Sequence, residues 1–443
     1  MRRLQWTAVT MAAALSVVWR IAPSQTDTVA KGRTLYLRHC AVCHGATGKG
    51  DGPLAKIVAP PVPDLTEGVF KLRSTPSGTL PTDDDLRRVI GDGIAATAMF
   101  GVKELLSDDE LNALVAFVKT LCPQFRTKGS GTPITIKPVA PSPELVALGR
   151  QVYAKFQCAV CHGTQGDGNG VLAKTLRDSK GRPVRLLSLR DARHYKNGFT
   201  PADIYRTLMT GMDGTPMPSF AGAMSEREAW ALAHFVHSLI TNNPPPPRSG
   251  LNVAASATNP LPSAVDEEAW DNAPVATLLL QSLWRDNKPD AVRVQALTDG
   301  DKAALRLQWD DPTCDDTGAR RDAVAVQMPV TFAGVVPSLF WGDQQAPVRV
   351  VQWTAGKGVS LWQARGITDR RPLPAPDAVA EGRWQNGRWT VVLQTELPQG
   401  CQRVPFAVSV WDGNAGDDGE RRSTTGWHWL TVAVPLDASH PHN

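Results

Sequence analysis

Cys40-Ala41-Val42-Cys43-His44 recurs 118 residues later as Cys158-Ala159-Val160-Cys161-His162. The spacing C-x-x-C-H is the attachment signature of a c-type haem. Two cysteines three residues apart can form thioethers with the two vinyl groups of one porphyrin, and the adjoining histidine then lies under the iron. A lone copy can also be half of a zinc site, but that needs a second Cys or His pair close by, and neither copy has one.

The repeat extends beyond the motif. Gly48-Lys49-Gly50-Asp51-Gly52-Pro53-Leu54-Ala55-Lys56 is matched by Gly166-Asp167-Gly168-Asn169-Gly170-Val171-Leu172-Ala173-Lys174, and Thr97-Ala98-Met99 by Thr215-Pro216-Met217, again at an offset of 118. Each motif histidine thus has a methionine at a fixed distance downstream. Imidazole on one face and thioether on the other raises an iron's reduction potential. The expectation is two covalent c-type haems, held by Cys40 and Cys43 and by Cys158 and Cys161, with His44 and Met99 on one iron and His162 and Met217 on the other. On these motifs the first half of the chain resembles class I cytochromes c. The resemblance implies two small all-helical folds, each around one six-coordinate haem.

The 443 residues suffice for two to four domains. A formal charge of +4, with no long basic run, gives no reason to expect nucleic-acid binding. Arg2 and Arg3 before the apolar run Leu4–Trp19 read as a signal peptide over residues 1–24, cleaved after Ser24, or as an uncleaved N-terminal anchor. Export to the periplasm agrees with the haem motifs, since attachment occurs outside the cytoplasm. In that compartment Cys314 and Cys401 are either a disulfide or two free thiols.

The expected organisation is a first cytochrome unit at 27–121, a linker at 122–143, a second unit at 144–240, a proline-rich linker at 241–262 and a third domain at 263–436. Val29–His39 reads as a helix leading into the first motif. Ser107 and Ser225 read as N-caps with acids behind them. His39, His194, His234 and His237 read as packing residues. Beyond Pro244–Pro247, a stiff polyproline run, the pattern changes: eleven of the fourteen tryptophans follow residue 250. Val292–Leu297, Ala304–Trp309, Val324–Val330, Val348–Trp353, Trp389–Leu393, Phe406–Trp411 and Trp427–Val434 read as strands. The fold class is therefore multidomain α plus β, with two all-α units followed by a β-sandwich.

The third domain carries a second resemblance. Asp266-Glu267-Glu268-Ala269-Trp270-Asp271-Asn272-Ala273-Pro274, Leu307-Gln308-Trp309-Asp310-Asp311, Asp322–Pro329 and Phe406–Gly413 are similar to the haem b-binding γ subunit of ethylbenzene dehydrogenase. The same family includes the corresponding subunits of molybdenum-type nitrate reductases, chlorate reductases and nitrite oxidoreductases. The resemblance implies a non-covalent haem b held by a methionine, which falls at Met328, and a lysine. Arg421-Arg422-Ser423 occupies the lysine position, and a guanidinium has no lone pair to give a metal. Related β-sandwich cytochromes use a Met/His pair, which would recruit His428. Two readings stay open: a third haem on Met328 and His428, or a haem-free sandwich that docks a partner or binds a ligand.

No nucleophile–base pair or phosphate-binding glycine loop is present, and a dihaem peroxidase would need one iron to lose its methionine. The expected role is electron transfer rather than catalysis. The γ-subunit resemblance implies a periplasmic subunit working with molybdoenzyme catalytic and iron–sulfur partners, and with a soluble cytochrome or membrane redox protein. Contact with the membrane would come only through an N-terminal anchor.

Overall fold

The structure is a computed structural model, and it describes residues 25–241, 248–285, 289–374 and 379–432. The expected signal or anchor segment and the Pro244–Pro247 run lie outside these residues. No described helix is long and apolar enough to cross a membrane.

The first helical unit contains α1 (Gln25–His39), α2 (Ala41–His44), α3 (Asp83–Asp92), α4 (Asp108–Leu121) and α5 (Gln124–Lys128). The second contains α6 (Pro143–Lys155), α7 (Ala159–His162), α8 (Pro201–Thr210) and α9 (Glu226–Ser238). Ser107 and Ser225 cap α4 and α9 as reciprocal capping boxes with Glu110 and Glu228. The 2.9–3.3 Å bonds of these boxes satisfy amides that would otherwise be orphaned. The same device starts α3 at Thr82 and α8 at Thr200.

Each unit is built on a crossing of its leading helix with its last. A Cβ on Gly32 would lie 1.9 Å from the Ala113 carbonyl oxygen, and one on Gly149 would lie 2.0 Å from that of Ala231. Only glycine lets these backbones approach so closely. Around the crossings pack Leu35, Tyr36, Leu114 and Phe117 in one unit, and Val152, Tyr153, Trp230 and Phe235 in the other. The copies differ by one residue before the motif. Helix α1 runs to His39, directly before Cys40, whereas α6 stops at Lys155 and Gln157 takes a positive φ of 53°.

The linker expected at 122–143 holds a helix, α5, and lies packed between the units. Gly131 and Ile134 donate backbone hydrogen bonds to Leu80 and Ser74, Ile134 and Ile136 rest on the second core, and the Val139 carbonyl contacts His234 Nε2 at 2.9 Å.

The C-terminal region comprises β1 (Asn252–Ala257), β2 (Ala276–Leu279), β3 (Gln281–Ser282), β4 (Ala291–Thr298), β5 (Lys302–Asp310), β6 (Ala323–Pro329), β7 (Val348–Thr354), β8 (Gly358–Ala364), β9 (Arg370–Leu373), β10 (Ala380–Gln385), β11 (Arg388–Glu396), β12 (Arg403–Trp411), β13 (Ser423–Thr424) and β14 (His428–Val432). The main path is β10-β11-β5-β4-β1-β14-β12-β6-β7-β8-β9. Strand β1 joins the halves, pairing in parallel with both β4 and β14. The path folds back so that alternate residues of both halves share one interior: Val294, Leu305, Val326, Trp353, Val391, Phe406, Val408 and Leu430. All seven segments read as strands form strands. Strand β1, Asn-Val-Ala-Ala-Ser-Ala, is too small-residued and too weakly alternating to be seen beforehand.

The outer face of β14-β12-β6-β7 is covered in a way the sequence does not announce. Ala325, Val350, Ala407, Trp427 and Trp429 on that face form one cluster with Leu54, Val58, Val42, Cys43, Ala98 and Phe100 of the first helical unit. A backbone bond from Ala59 N to Leu283 O (2.8 Å) and the Arg38–Asp343 ion pair (3.0 Å) complete the seam.

Cys314 and Cys401 are free thiols. They follow opposite ends of the β5–β11 pair, where Asp310 faces Arg388 and Lys302 faces Glu396. Nine residues of strand separate those ends by roughly 27 Å, against the Cα separation of less than about 7 Å that a disulfide needs.

Candidate functional site

Both C-x-x-C-H motifs form a single helical turn, α2 or α7, closed by a glycine at φ 74° or 79°. The turn is fastened identically in each unit. Tyr36 Oη donates to Gly45 O (2.8 Å) and Tyr153 Oη to Gly163 O (2.7 Å). Leu54 N and Leu172 N donate to Val42 O and Val160 O. Gly52 and Gly170 lie so close under the motif that a Cβ would come within 2.5 Å of its carbonyl oxygens.

The methionine loops repeat with equal fidelity. Met99 N and Met217 N each donate to the hydroxyl of Thr97 or Thr215 at 3.2 Å, and each methionine carbonyl accepts from Ile94 N or Met212 N. Met99 packs on the first helical core and Met217 on the second.

The four motif cysteines are free, and burial pushes Cys40 and Cys43 up to about 12 and Cys158 up to about 11. Both motif imidazoles are held neutral by burial, His44 down to about 4. Neither His44 Nδ1 nor His162 Nδ1 has a hydrogen-bond partner, although both are buried. An imidazole in that condition costs free energy unless it is given a ligand. Paired thiols, an unbonded neutral imidazole and a methionine held on a fixed loop suit a covalently attached iron porphyrin.

Residues 29–122 match the family described as Cytochrome c, and residues 144–236 match Cytochrome C oxidase, cbb3-type, subunit III. The chain contains two cytochrome c domains. Such domains imply covalent c-type haems and electron transfer as the work of the helical half.

Over 219 residues it is 27% identical to the Cbb3-type cytochrome c oxidase subunit CcoP of Azospirillum sp. (strain B510), covering 48% of this chain and 62% of that one. It is 23% identical over 256 residues to the cytochrome c subunit of a quinone alcohol dehydrogenase from Gluconacetobacter polyoxogenes, covering 51% of each. The chain thus spans between 51% and 62% of the length of these relatives. Among solved structures, a Kuenenia stuttgartiensis reducing HAO-like protein complex shares 34% identity, covering 48% of this chain and 96% of its own, with a TM-score of 0.46.

The two cytochrome domains are locked together beside the methionine loop of the second. The Arg73 side chain is fully buried and donates to the carbonyls of Thr210, Phe70 and Pro76, and it pairs with Asp213 at 2.8 Å. Asp213 also accepts from Ser77 Oγ and Gly78 N. Nearby positive charge is concentrated: burial, with Lys71 and Arg185 beside it, pulls Lys196 down to about 8. A haem's propionates have the charge to complement such a cluster.

At the first methionine loop Arg248 reaches in from the sandwich side. It is half-buried, donates to Thr97 O (2.8 Å) and Met99 O (3.3 Å), and lies 5.5 Å from the Phe100 ring centre. Sequence reading missed this residue because nothing local marks it; its role comes from the packing of the sandwich on the cytochrome.

The residues expected for haem b do not fit that group. Met328 points into the packed interior between the sheet layers. Arg422 lies on the opposite face of the sheet, its Nε donating to Ser409 Oγ (3.2 Å), its Nη1 paired with Glu420 and its guanidinium 4.2 Å from the Trp341 ring centre. The family's two ligand positions therefore look away from each other across β12. His428 shares the face of Met328, but Phe406 stands between them: it pairs with His428 and by register lies opposite Met328. Two strand spacings separate them by about 10 Å, filled by the buried Phe406 ring. His428 Nδ1 accepts from Leu251 N (3.2 Å), while its Nε2 has no partner.

His194 and His234 are tied to backbone carbonyls, His194 Nδ1 to Ser188 O and His234 to Val139 O. Most of the C-terminal tryptophans are core: Trp270, Trp309, Trp341 and Trp427 are among the largest fully buried side chains, which removes them as an open ligand platform.

Proposed function

We propose that this chain is a periplasmic two-haem electron-transfer protein. Cys40, Cys43, Cys158 and Cys161 carry the porphyrins, His44 and Met99 ligate one iron, and His162 and Met217 ligate the other. The β-sandwich, in this reading, is a haem-free docking module. The observation that carries the reading is the twofold repetition of one constellation: buried, unbonded imidazole, paired thiols and a methionine loop tied by a threonine hydroxyl. Bound haem supplies one-electron redox chemistry; the protein supplies fixed ligands, burial and orientation.

The two copies differ in what covers the motif. Leu54, after the first, is fully buried against the sandwich. Its counterpart Leu172 is 45% exposed, and the neighbouring Val171 is 84% exposed. The same face that docks a protein module in the first domain is open in the second, which suits electron exchange with an external redox partner. The γ-subunit resemblance favours a molybdenum oxidoreductase as the other partner, with the sandwich as the element held in the complex.

Replacing Met99 or Met217 by Ala, one at a time, tests the ligand assignment. Each change should open one iron, lower the potential of one of two redox steps and leave the other unchanged. Unaltered titrations in both variants would remove the methionines as ligands.

A further inference from the structure

Three carboxylates converge at one end of the sandwich. Asp311 follows β5, Asp322 precedes β6 and Asp412 follows β12, so three separate chain segments deliver carboxylates to one point. All three residues are buried, and one oxygen from each lies within 4.8 Å of the others.

The hydrogen bonds of the cluster leave part of it unsatisfied. Asp322 Oδ1 accepts from Gly413 N (2.9 Å), and its Oδ2 accepts from Asp315 N (2.7 Å) and Trp389 Nε1 (2.9 Å). Asp412 Oδ1 accepts from Ala415 N (2.8 Å). Asp311 Oδ1 accepts from the amide and hydroxyl of Thr313 (3.1 and 3.2 Å). Asp311 Oδ2 has no donor at all, on a residue only 1% exposed.

The cation that reaches this cluster, Arg285, is mainly committed to another carboxylate. Arg285 makes 2.9 Å bonds to both oxygens of Asp417 and reaches Asp412 only at 3.5 Å. Burial, reinforced by its acidic neighbours, pushes Asp311 up to about 7, and Asp322 and Asp412 also lie above the usual carboxylate range. A buried carboxylate oxygen with no donor, facing two more carboxylates, is an arrangement a protein avoids unless something neutralises it.

We infer that Asp311, Asp322 and Asp412 bind a hard divalent cation, Ca²⁺ in preference to Mg²⁺. The donors are all oxygen, with no imidazole or thiolate to favour a transition metal. Ca²⁺ accepts an irregular set of oxygens at about 2.3–2.6 Å, which suits carboxylates delivered by three separate strand ends and already fixed by backbone donors, whereas Mg²⁺ demands near-ideal octahedral geometry at about 2.0–2.1 Å and gives up its waters reluctantly. The ion would tie the ends of β5, β6 and β12 together. It would also steady the 412–417 turn, where Asp417 accepts from Trp284 Nε1 (2.8 Å) one residue beyond the Leu283 carbonyl that docks the first cytochrome domain.

The test is calorimetric titration of the chelator-treated full-length holoprotein with CaCl₂ and, separately, MgCl₂, together with thermal melts with and without Ca²⁺. Wild type should bind one Ca²⁺ more tightly than Mg²⁺ and melt higher in its presence. Asp311→Asn, which keeps the acceptor for Thr313 but removes the charge, should weaken Ca²⁺ binding at least tenfold and abolish the melting shift. Without Ca²⁺ this variant should melt no lower than wild type, because it relieves repulsion, so a folding defect cannot imitate the result. Asp299→Asn, in the exposed turn at the opposite end of β5, should bind as wild type does. Absence of Ca²⁺ binding in wild type, unchanged binding in Asp311→Asn or equal loss in Asp299→Asn would each overturn the assignment.

Discussion

Replacing Arg248 by Ala should loosen the first methionine loop and leave the second untouched. The guanidinium makes one short bond, to Thr97 O at 2.8 Å, and one long bond, to Met99 O at 3.3 Å. Hydrogen bonds from a charged donor contribute about 1.5–3 kcal/mol each, and the long one counts for a fraction of that. The contact with Phe100 adds roughly 1 kcal/mol. Against this stands the cost of partly desolvating a cation that has only carbonyls as hydrogen-bond partners, a cost visible in the pull of its pKa down to about 10. The balance is about 2 kcal/mol in favour of the closed loop, or roughly thirtyfold in its opening equilibrium. Cyanide binds ferric haem only after the methionine has left, so cyanide titration reads that equilibrium. In Arg248→Ala one haem should bind cyanide about thirtyfold more tightly while the other keeps its wild-type affinity. Arg248→Lys, which keeps the charge but loses the fork, should fall between. Unchanged affinity at both haems, or an equal change at both, would refute the clamp.

Three further outcomes follow from the geometry. Gly149→Ala puts a Cβ 2.0 Å from the Ala231 carbonyl oxygen and 2.6 Å from Phe235 Cβ; despite alanine's better helix propensity, denaturant unfolding should show a net loss of roughly 1–3 kcal/mol. Arg73→Met strips Asp213 of its buried partner, which should cost about 3–5 kcal/mol and expose the 129–143 segment to limited proteolysis. His428 is held neutral by burial, its pKa lowered from 6.5 to about 3. The stability this neutral form contributes is complete above pH 6.5 and is lost as pH falls towards 3. By linkage roughly 2 kcal/mol should disappear between pH 6.5 and 5. His428→Asn should flatten that part of the stability–pH curve, and an identical acid limb in the variant would show that other groups set it.

The parts of the fold legible in the sequence are those governed by local chemistry. The motif at Cys40–His44, the capping serines at 107 and 225 and the alternation of strands such as Val292–Leu297 each depend on residues within a turn or a pleat of one another. What the sequence concealed is long-range. Nothing in Leu54 and Leu172, aligned in the repeat, says that one is buried by a sandwich starting some 200 residues later and the other left open. Arg248 and Arg73 look like ordinary surface arginines until the domains pack around them. Of the two readings left open for the sandwich, the haem b one lacks support for a geometric reason: one residue of register decides which face of a strand a side chain takes. Met328 and Arg422 fall on opposite faces of their sheet, and Phe406 fills the space between Met328 and His428.

The most direct measurement is a haem count on purified protein made with adequate haem, by pyridine haemochrome before and after acid–acetone extraction. The account predicts two haems per chain that resist extraction, with c-type spectra, and none released. An extractable b-type haem would contradict the haem-free sandwich, and fewer than two covalent haems would contradict the paired sites at Cys40–His44 and Cys158–His162.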